Sequence, residues 1–133
     1  MKLYGNHWLA HYIGCKKTSG GWLVIDDADA VKKIIINALK NVKAKILFSN
    51  SYQFKPQGVT ALVGIAESHA SIHTWPEDEF AEFDFNTCNQ DMDGEKVLRE
   101  IGREIGAERV IFTKIERFMG EIEYGDLEVI KLK

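Results

Sequence analysis

Residues 64–77, GIAESHASIHTWPE, gather Glu67, Ser68, His69, Ser71, His73, Thr74, Trp75 and Glu77 into a span that otherwise reads as a core strand. A serine next to a histidine suggests nucleophilic hydrolysis. No Gly-x-Ser-x-Gly elbow surrounds Ser68, however, and nothing marks a strand-to-helix turn there. The His69-x3-His73 spacing suggests zinc, yet that spacing converges on one ion only in a helix. This β-branched, proline-terminated run favours extended chain, in which the two imidazoles stand roughly 13 Å apart at about 3.3 Å per residue. A core strand whose histidines are merely hydrogen-bonded accounts for the residue pattern equally well.

The elements around this segment follow from periodicity. Residues 3–14 alternate as a strand, Asp26 and Asp27 supply a cap, and residues 27–44 repeat Val31, Ile34, Ile35, Leu39 and Val42 at helical spacing. Strands are expected over 45–54 and 59–66, joined by a turn at Pro56-Gln57-Gly58. After Pro76, residues 79–87 set Glu82, Asp84 and Asn86 against Ala81, Phe83 and Phe85, the pattern of a half-exposed strand in which Phe80 interrupts the polar face. Asp93 caps a second helix over 94–107 with a stripe of Val97, Leu98, Ile101 and Ile105; residues 109–118 form a further strand, and a hairpin turn is expected at Tyr124-Gly125-Asp126. The order predicts an α+β fold: a two-layer sandwich with a mainly antiparallel sheet and two helices on one face.

Composition bounds the answer. A chain of 133 residues, 45% hydrophobic and 28% charged, suits a single soluble domain spanning 1–133. No apolar run reaches the length of a membrane span, and the first residues, MKLYGNHWLAHYIG, lack the apolar core and cleavage site of a signal peptide, so a cytoplasmic protein with no membrane partner is expected. Cys15 and Cys88 fit that compartment as free thiols. Without a long basic run there is no footprint for nucleic acid. Residues 1–67 hold 9 Lys/Arg against 4 Asp/Glu, and residues 68–133 hold 8 against 16, so the two halves carry opposite charge.

Glu67-Ser68-His69, Ile72-His73-Thr74-Trp75-Pro76-Glu77 and Thr87-Cys88 closely resemble the signature of the small prokaryotic S-adenosylmethionine decarboxylases, which are pyruvoyl enzymes. Gly5, His7 and the run Phe54 to Val59 extend the resemblance over nearly the whole chain. It implies self-cleavage between Glu67 and Ser68 into a β chain, 1–67, and an α chain, 68–133. The Ser68 hydroxyl would attack the Glu67 carbonyl, His73 would take the Ser68 α-proton, and elimination and hydrolysis would leave a pyruvoyl group at position 68. Thr60 stands where bacterial members carry a serine that assists processing. The covalent pyruvoyl replaces pyridoxal phosphate: the substrate amine forms its Schiff base there, and Cys88 resembles the acid that protonates the carbanion left by CO2. The resemblance also implies that Phe54 and Trp75 receive the sulfonium and adenine and that Glu77 receives the ribose hydroxyls. No metal is implied. Decarboxylated S-adenosylmethionine is the aminopropyl donor for spermidine, which places the reaction in polyamine synthesis.

Gln57, Asn89 and the pair Asp78-Glu79 depart from the family's usual residues and border the expected pocket. Their acidity keeps open a pyruvoyl-dependent arginine or ornithine decarboxylase of the same superfamily. A non-catalytic regulatory paralogue is a third reading, and the retention of Ser68, His73 and Cys88 argues against it. Ser68 and His73 lie five residues apart in one predicted strand, roughly 16 Å at about 3.3 Å per residue and on opposite faces. The expected solution, which the resemblance shares, is a homodimer whose sites take Ser68 and Cys88 from one chain and His73 with Thr60 from the other.

Overall fold

Each long alternating segment is a strand in the computed structural model, which describes residues 2–133. The elements run β1 (Leu3–Ile13), β2 (Thr18–Ser19), β3 (Trp22–Leu23), α1 (Ala28–Lys40), β4 (Lys45–Gln53), β5 (Val59–Ala66), β6 (Ser68–Trp75), β7 (Phe80–Thr87), α2 (Gly94–Glu104), β8 (Arg109–Phe118), β9 (Glu121–Tyr124) and β10 (Glu128–Lys131). The eight-stranded sheet has the order β10-β8-β1-β7-β6-β5-β4, with β9 beside β8, and its pairs are antiparallel. Both helices cover one face, which is the α+β sandwich the periodicity predicts.

Alternation decides which face each side chain takes. Trp8, Ala10 and Tyr12 on β1, Val59, Ala61 and Val63 on β5, Ala70 and Ile72 on β6, and Phe83 and Phe85 on β7 are buried under Val31, Ile35 and Leu39 of α1 and Val97, Leu98 and Ile101 of α2. Their alternates form an open face. The Tyr12 hydroxyl donates to the Leu98 carbonyl at 2.8 Å, fixing α2 to the sheet. Thr74 Oγ1 donates to Ile25 O at 2.7 Å and accepts from Val59 N at 2.9 Å, tying β5 and β6 to the 3-10 turn Val24–Asp26 that precedes α1.

The predicted caps are in place. Asp27 and Asp93 accept from the backbone N–H groups of Ala30 and Lys96, satisfying helix donors that otherwise have no partner. Both helices end earlier than their periodicity suggests. Lys43 (φ 64°) and Gly106 (φ 72°) adopt left-handed backbone and turn the chain out of the helix. The hairpin expected at Tyr124-Gly125-Asp126 is displaced. The chain reverses at Met119-Gly120, where Gly120 has φ 76°, and β9 and β10 then run in one direction along the same edge of β8. Gly125 N–H donates to Lys114 O, and Thr113 Oγ1 donates to Gly125 O, so residues 124–126 stay bound to β8 rather than folding back. A small β2–β3 hairpin around Gly20-Gly21 was not foreseen, although a Gly-Gly pair is the usual signal for so tight a turn.

Candidate functional site

The junction of β5 and β6 holds the first group of candidate residues. Ile65 on β5 pairs with Ser68 on β6, so Ala66 and Glu67 make a two-residue turn that ends at the Glu67–Ser68 bond. Ser68 has φ 151°, a conformation that L side chains rarely adopt. The Glu67 carbonyl oxygen accepts the Cys88 backbone N–H at 3.1 Å, and Ser68 Oγ lies 3.1 Å from His69 Nδ1. β7 ends at Thr87, directly across from Ser68, which is why the next residue, Cys88, reaches the junction. One end of the open face therefore brings together Glu67, Ser68 and Cys88, an exposed cysteine.

The second group lies at the other end. Thr60 on β5 pairs with His73 on β6, and Thr60 Oγ1 is 2.6 Å from His73 Nδ1. The His73 ring packs edge-on between Trp75, at 4.3 Å between centroids, and Phe54, at 5.6 Å; Tyr52 and Phe80 extend this aromatic row on either side. Phe54, Gln57, His73, Trp75 and Glu77 line a hollow of about 260 Å³. The turn that carries Phe54 is held by Gly58 N–H donating to Asp26 and by Phe54 N–H donating to Gly58 O. Such a row offers π faces to a cation or a flat heterocycle, with the Glu77 carboxylate alongside. A larger hollow of about 490 Å³ runs along the charged side chains of α2, on the far side of the sheet, and contains no nucleophile.

β6 runs unbroken from Ser68 to Trp75, so the two groups are kept apart within one chain by a strand of fixed length. The candidate residues thus fall into two groups at opposite ends of one strand. Residues 6–118 match the family model described as S-adenosylmethionine decarboxylase. The chain belongs to the S-adenosylmethionine decarboxylase family. It is 36% identical over 123 residues to the S-adenosylmethionine decarboxylase proenzyme of Methanococcus vannielii, covering 92% of this chain and 97% of that one. To the proenzyme of the same name from Pyrococcus abyssi it is 34% identical over 121 residues, covering 91% and 84%. The crystal structure of the adenosylmethionine decarboxylase from Aquifex aeolicus superposes with a TM-score of 0.71 at 28% identity, over 98% of this chain and 92% of that one. A Trypanosoma brucei structure titled as an AdoMetDC monomer shares the fold, with a TM-score of 0.57 at 18% identity over 84% of this chain and 45% of that chain.

Some residues beside the junction had no role assigned from sequence. His69 is one, because neighbours on a regular strand point to opposite faces; the unusual φ of Ser68 breaks that alternation and turns its hydroxyl toward the imidazole. Nearby, His7 is held between two charges: Arg117 Nη2 donates to its Nδ1 at 2.8 Å, and its Nε2 lies 3.1 Å from Asp84 Oδ1. An imidazole that accepts at Nδ1 and donates from Nε2 is neutral. Burial holds the His7 pKa below its ordinary value, Arg117 adds to the lowering, and Asp84 works against it. Strand register could have placed His7 and Asp84 on one face, but not the arrival of Arg117 from β8.

Proposed function

We propose that this chain is a self-processing, pyruvoyl-dependent S-adenosylmethionine decarboxylase that supplies the aminopropyl donor for spermidine synthesis, acting as a homodimer in the cytoplasm. The observation that carries the reading is the Glu67–Ser68 junction: a hydroxyl beside a carbonyl whose oxygen already accepts a backbone N–H. An amide is a poor electrophile, and a donor at its oxygen favours the charge that develops when the hydroxyl adds to it. The residues fit a group made from Ser68: the Cys88 backbone N–H holds the carbonyl of the Glu67–Ser68 bond and brings a thiol-bearing residue to it.

A pyruvoyl group made from Ser68 would supply a carbonyl for the substrate amine and a sink for the electron pair left on the α-carbon when CO2 departs. Cys88 Sγ holds the proton returned to the substrate α-carbon. His73 acts as the base for the Ser68 α-proton: in the tautomer that donates Nδ1–H to Thr60 Oγ1, its Nε2 is bare. Thr60 thus does the work expected of a serine there, orienting the ring. Phe54 and Trp75 bind the sulfonium and adenine, and Glu77 binds the ribose. Because His73 and Ser68 stand at opposite ends of β6, each site is completed by His73, Thr60 and the aromatic row of the second copy.

A diamino-acid substrate was suggested by Asp78 and Glu79. Neither lines the aromatic hollow, and the charge of Glu79 acts on Cys15 and Lys16 instead. The test offers S-adenosylmethionine, arginine and ornithine, each labelled at the carboxyl carbon, to purified protein. CO2 release from S-adenosylmethionine by protein that runs as fragments of 67 and 66 residues is the expected result. Release from an amino acid alone would overturn the substrate, and full activity in an uncut chain would overturn the mechanism.

A further inference from the structure

Processing moves two protons, and the reading above assigns a base for one of them. The α-proton of Ser68 goes to His73. The hydroxyl proton of Ser68 must leave first, as Oγ attacks; His73 of the same chain stands at the far end of the strand, and the partner's is already assigned to the α-proton. The basic nitrogen at hydrogen-bond distance from Ser68 Oγ is Nδ1 of His69, at 3.1 Å. We propose that His69 is a further catalytic residue, the base that activates Ser68 for the acyl shift opening self-cleavage. The assignment rests on the self-processing reading and deepens it.

The geometry supplies each part of a nucleophile–base–oxyanion arrangement. A candidate base must lie within roughly 2.6–3.2 Å of the group it deprotonates, and His69 does. An oxyanion donor must lie within about 2.7–3.1 Å of the oxygen that gains charge; Cys88 N–H stands 3.1 Å from Glu67 O before any reaction. The φ of 151° at Ser68 explains how adjacent residues on a strand can meet at all. His69 is itself placed by register, paired with Gly64 on β5 and Asn86 on β7.

The step balances. The Ser68 hydroxyl proton passes to His69 Nδ1 as Oγ bonds to the Glu67 carbonyl carbon, and the carbonyl π electrons move onto the oxygen facing Cys88 N–H. When the oxyanion collapses, the carbon–nitrogen bond breaks, and the Ser68 nitrogen takes the proton back from the His69 imidazolium. An ester and a free amine result, with His69 regenerated. The later elimination, with His73 taking the α-proton and the Glu67 carboxylate leaving, does not involve His69. Two histidines on one strand therefore serve successive steps, His69 in its own chain and His73 in the partner.

The experiment follows cleavage of newly made wild-type, His69→Ala, His69→Asn and His73→Ala chains by mass, with and without neutral hydroxylamine, which cuts esters and spares amides. The asparagine variant retains a hydrogen-bond acceptor but has no basic nitrogen, and thermal melts of both His69 variants establish that they fold. The expected result is cleavage slowed by roughly 10²–10⁴-fold in both His69 variants. Their uncut chains should resist hydroxylamine, and added imidazole should restore part of the rate to His69→Ala. The stalled His73→Ala chain should instead be cut by hydroxylamine at residue 68. Wild-type cleavage rates in a folded His69 variant would overturn the assignment and leave the self-processing reading intact. So would a hydroxylamine-sensitive ester in that variant, because the shift would then have occurred without the base. A wild-type chain that never cleaves would overturn both.

Discussion

Cys15 and Cys88 are alike in composition and opposite in circumstance. Cys15 is fully buried; burial and then the charge of Glu79 push its thiol up to about 12, so it has negligible thiolate at neutral pH. Cys88 is exposed beside the Glu67–Ser68 junction. An alkylating reagent should label Cys88 in the native chain and reach Cys15 only after unfolding, which peptide mass mapping checks. Cys88→Ala keeps the backbone N–H that holds the Glu67 oxygen and should still cleave, while turnover falls by roughly 10²–10⁴-fold. Wild-type turnover in a cleaved Cys88→Ala protein would remove its role as acid. His7 gives a pH dependence. Its folded pKa lies below its ordinary value near 6.5, so the unfolded chain binds the proton more readily, and His7 stabilises the fold above that pH but loses its contribution as pH falls through it. Denaturant midpoints measured between pH 5 and 8 should fall less steeply on the acid side in His7→Gln. The motif made Ser68, His73 and Cys88 legible in the sequence. It could not distinguish the two thiols' surroundings or show that Ser68 turns toward His69, since both depend on chain brought in from elsewhere.

At the scale of elements, α2 sits close to the sheet because Gly94 leaves room for Trp8. A Cβ at Gly94 would lie 2.3 Å from the Trp8 ring, which is itself stacked on Phe85. Alanine would gain at most about 1 kcal/mol in helix propensity, whereas forcing atoms into a packed core costs about 1–3 kcal/mol, so Gly94→Ala should lower stability in a denaturant titration. Periodicity had located α2 and its stripe, but not this contact, because one glycine at a helix start reads as an ordinary first-turn residue. Sheet order has a larger consequence. The segment 1–67 supplies β1, β4 and β5, and 68–133 supplies β6, β7, β8, β9 and β10, yet β1 lies between β7 and β8. Cleavage at Glu67–Ser68 would leave a strand of one fragment hydrogen-bonded on both edges to the other. The fragments should co-elute in native chromatography, even at salt high enough to screen their opposite charges, and separate only in denaturant. Separation in salt alone would mean that charge, rather than strand interleaving, holds them. Strand positions were readable from alternation; the insertion of β1 was not, because pairing partners distant in sequence leave no local signal.

At the scale of the whole molecule, one face of the sheet carries no helix. The open sheet face leaves Leu9, Phe48, Tyr52 and Leu62 exposed, with Tyr124 and Val129 toward the other edge, and it carries all four histidines, His7, His11, His69 and His73. An apolar face of this breadth, holding the two separated groups of candidate residues, is suited to the second copy proposed above. Two-fold symmetry then fixes the axis: if the partner's His73 approaches Ser68, the midpoint between Ser68 and His73 of one chain must lie on that axis. That midpoint falls between Ala70, which is buried, and Ser71, which faces outward opposite Asp84. Ser71→Glu would place two added carboxylates close to the axis beside the two Asp84 side chains, and it should give monomers that do not cleave, measured by sedimentation and mass. The decisive measurement is complementation. Ser68→Ala cannot cleave for want of a nucleophile, and His73→Ala cannot complete elimination, so each stays uncut alone. In a mixed dimer, one site combines Ser68 and Cys88 of the His73→Ala chain with His73 and Thr60 of the Ser68→Ala chain, while the other lacks both nucleophile and base. Co-expression should therefore cut the His73→Ala chain and leave the Ser68→Ala chain whole, which a tag on either chain distinguishes. If mixed dimers form and neither chain is cut, His73 must serve its own Ser68, and β6 would have to abandon the straight run that now holds them apart.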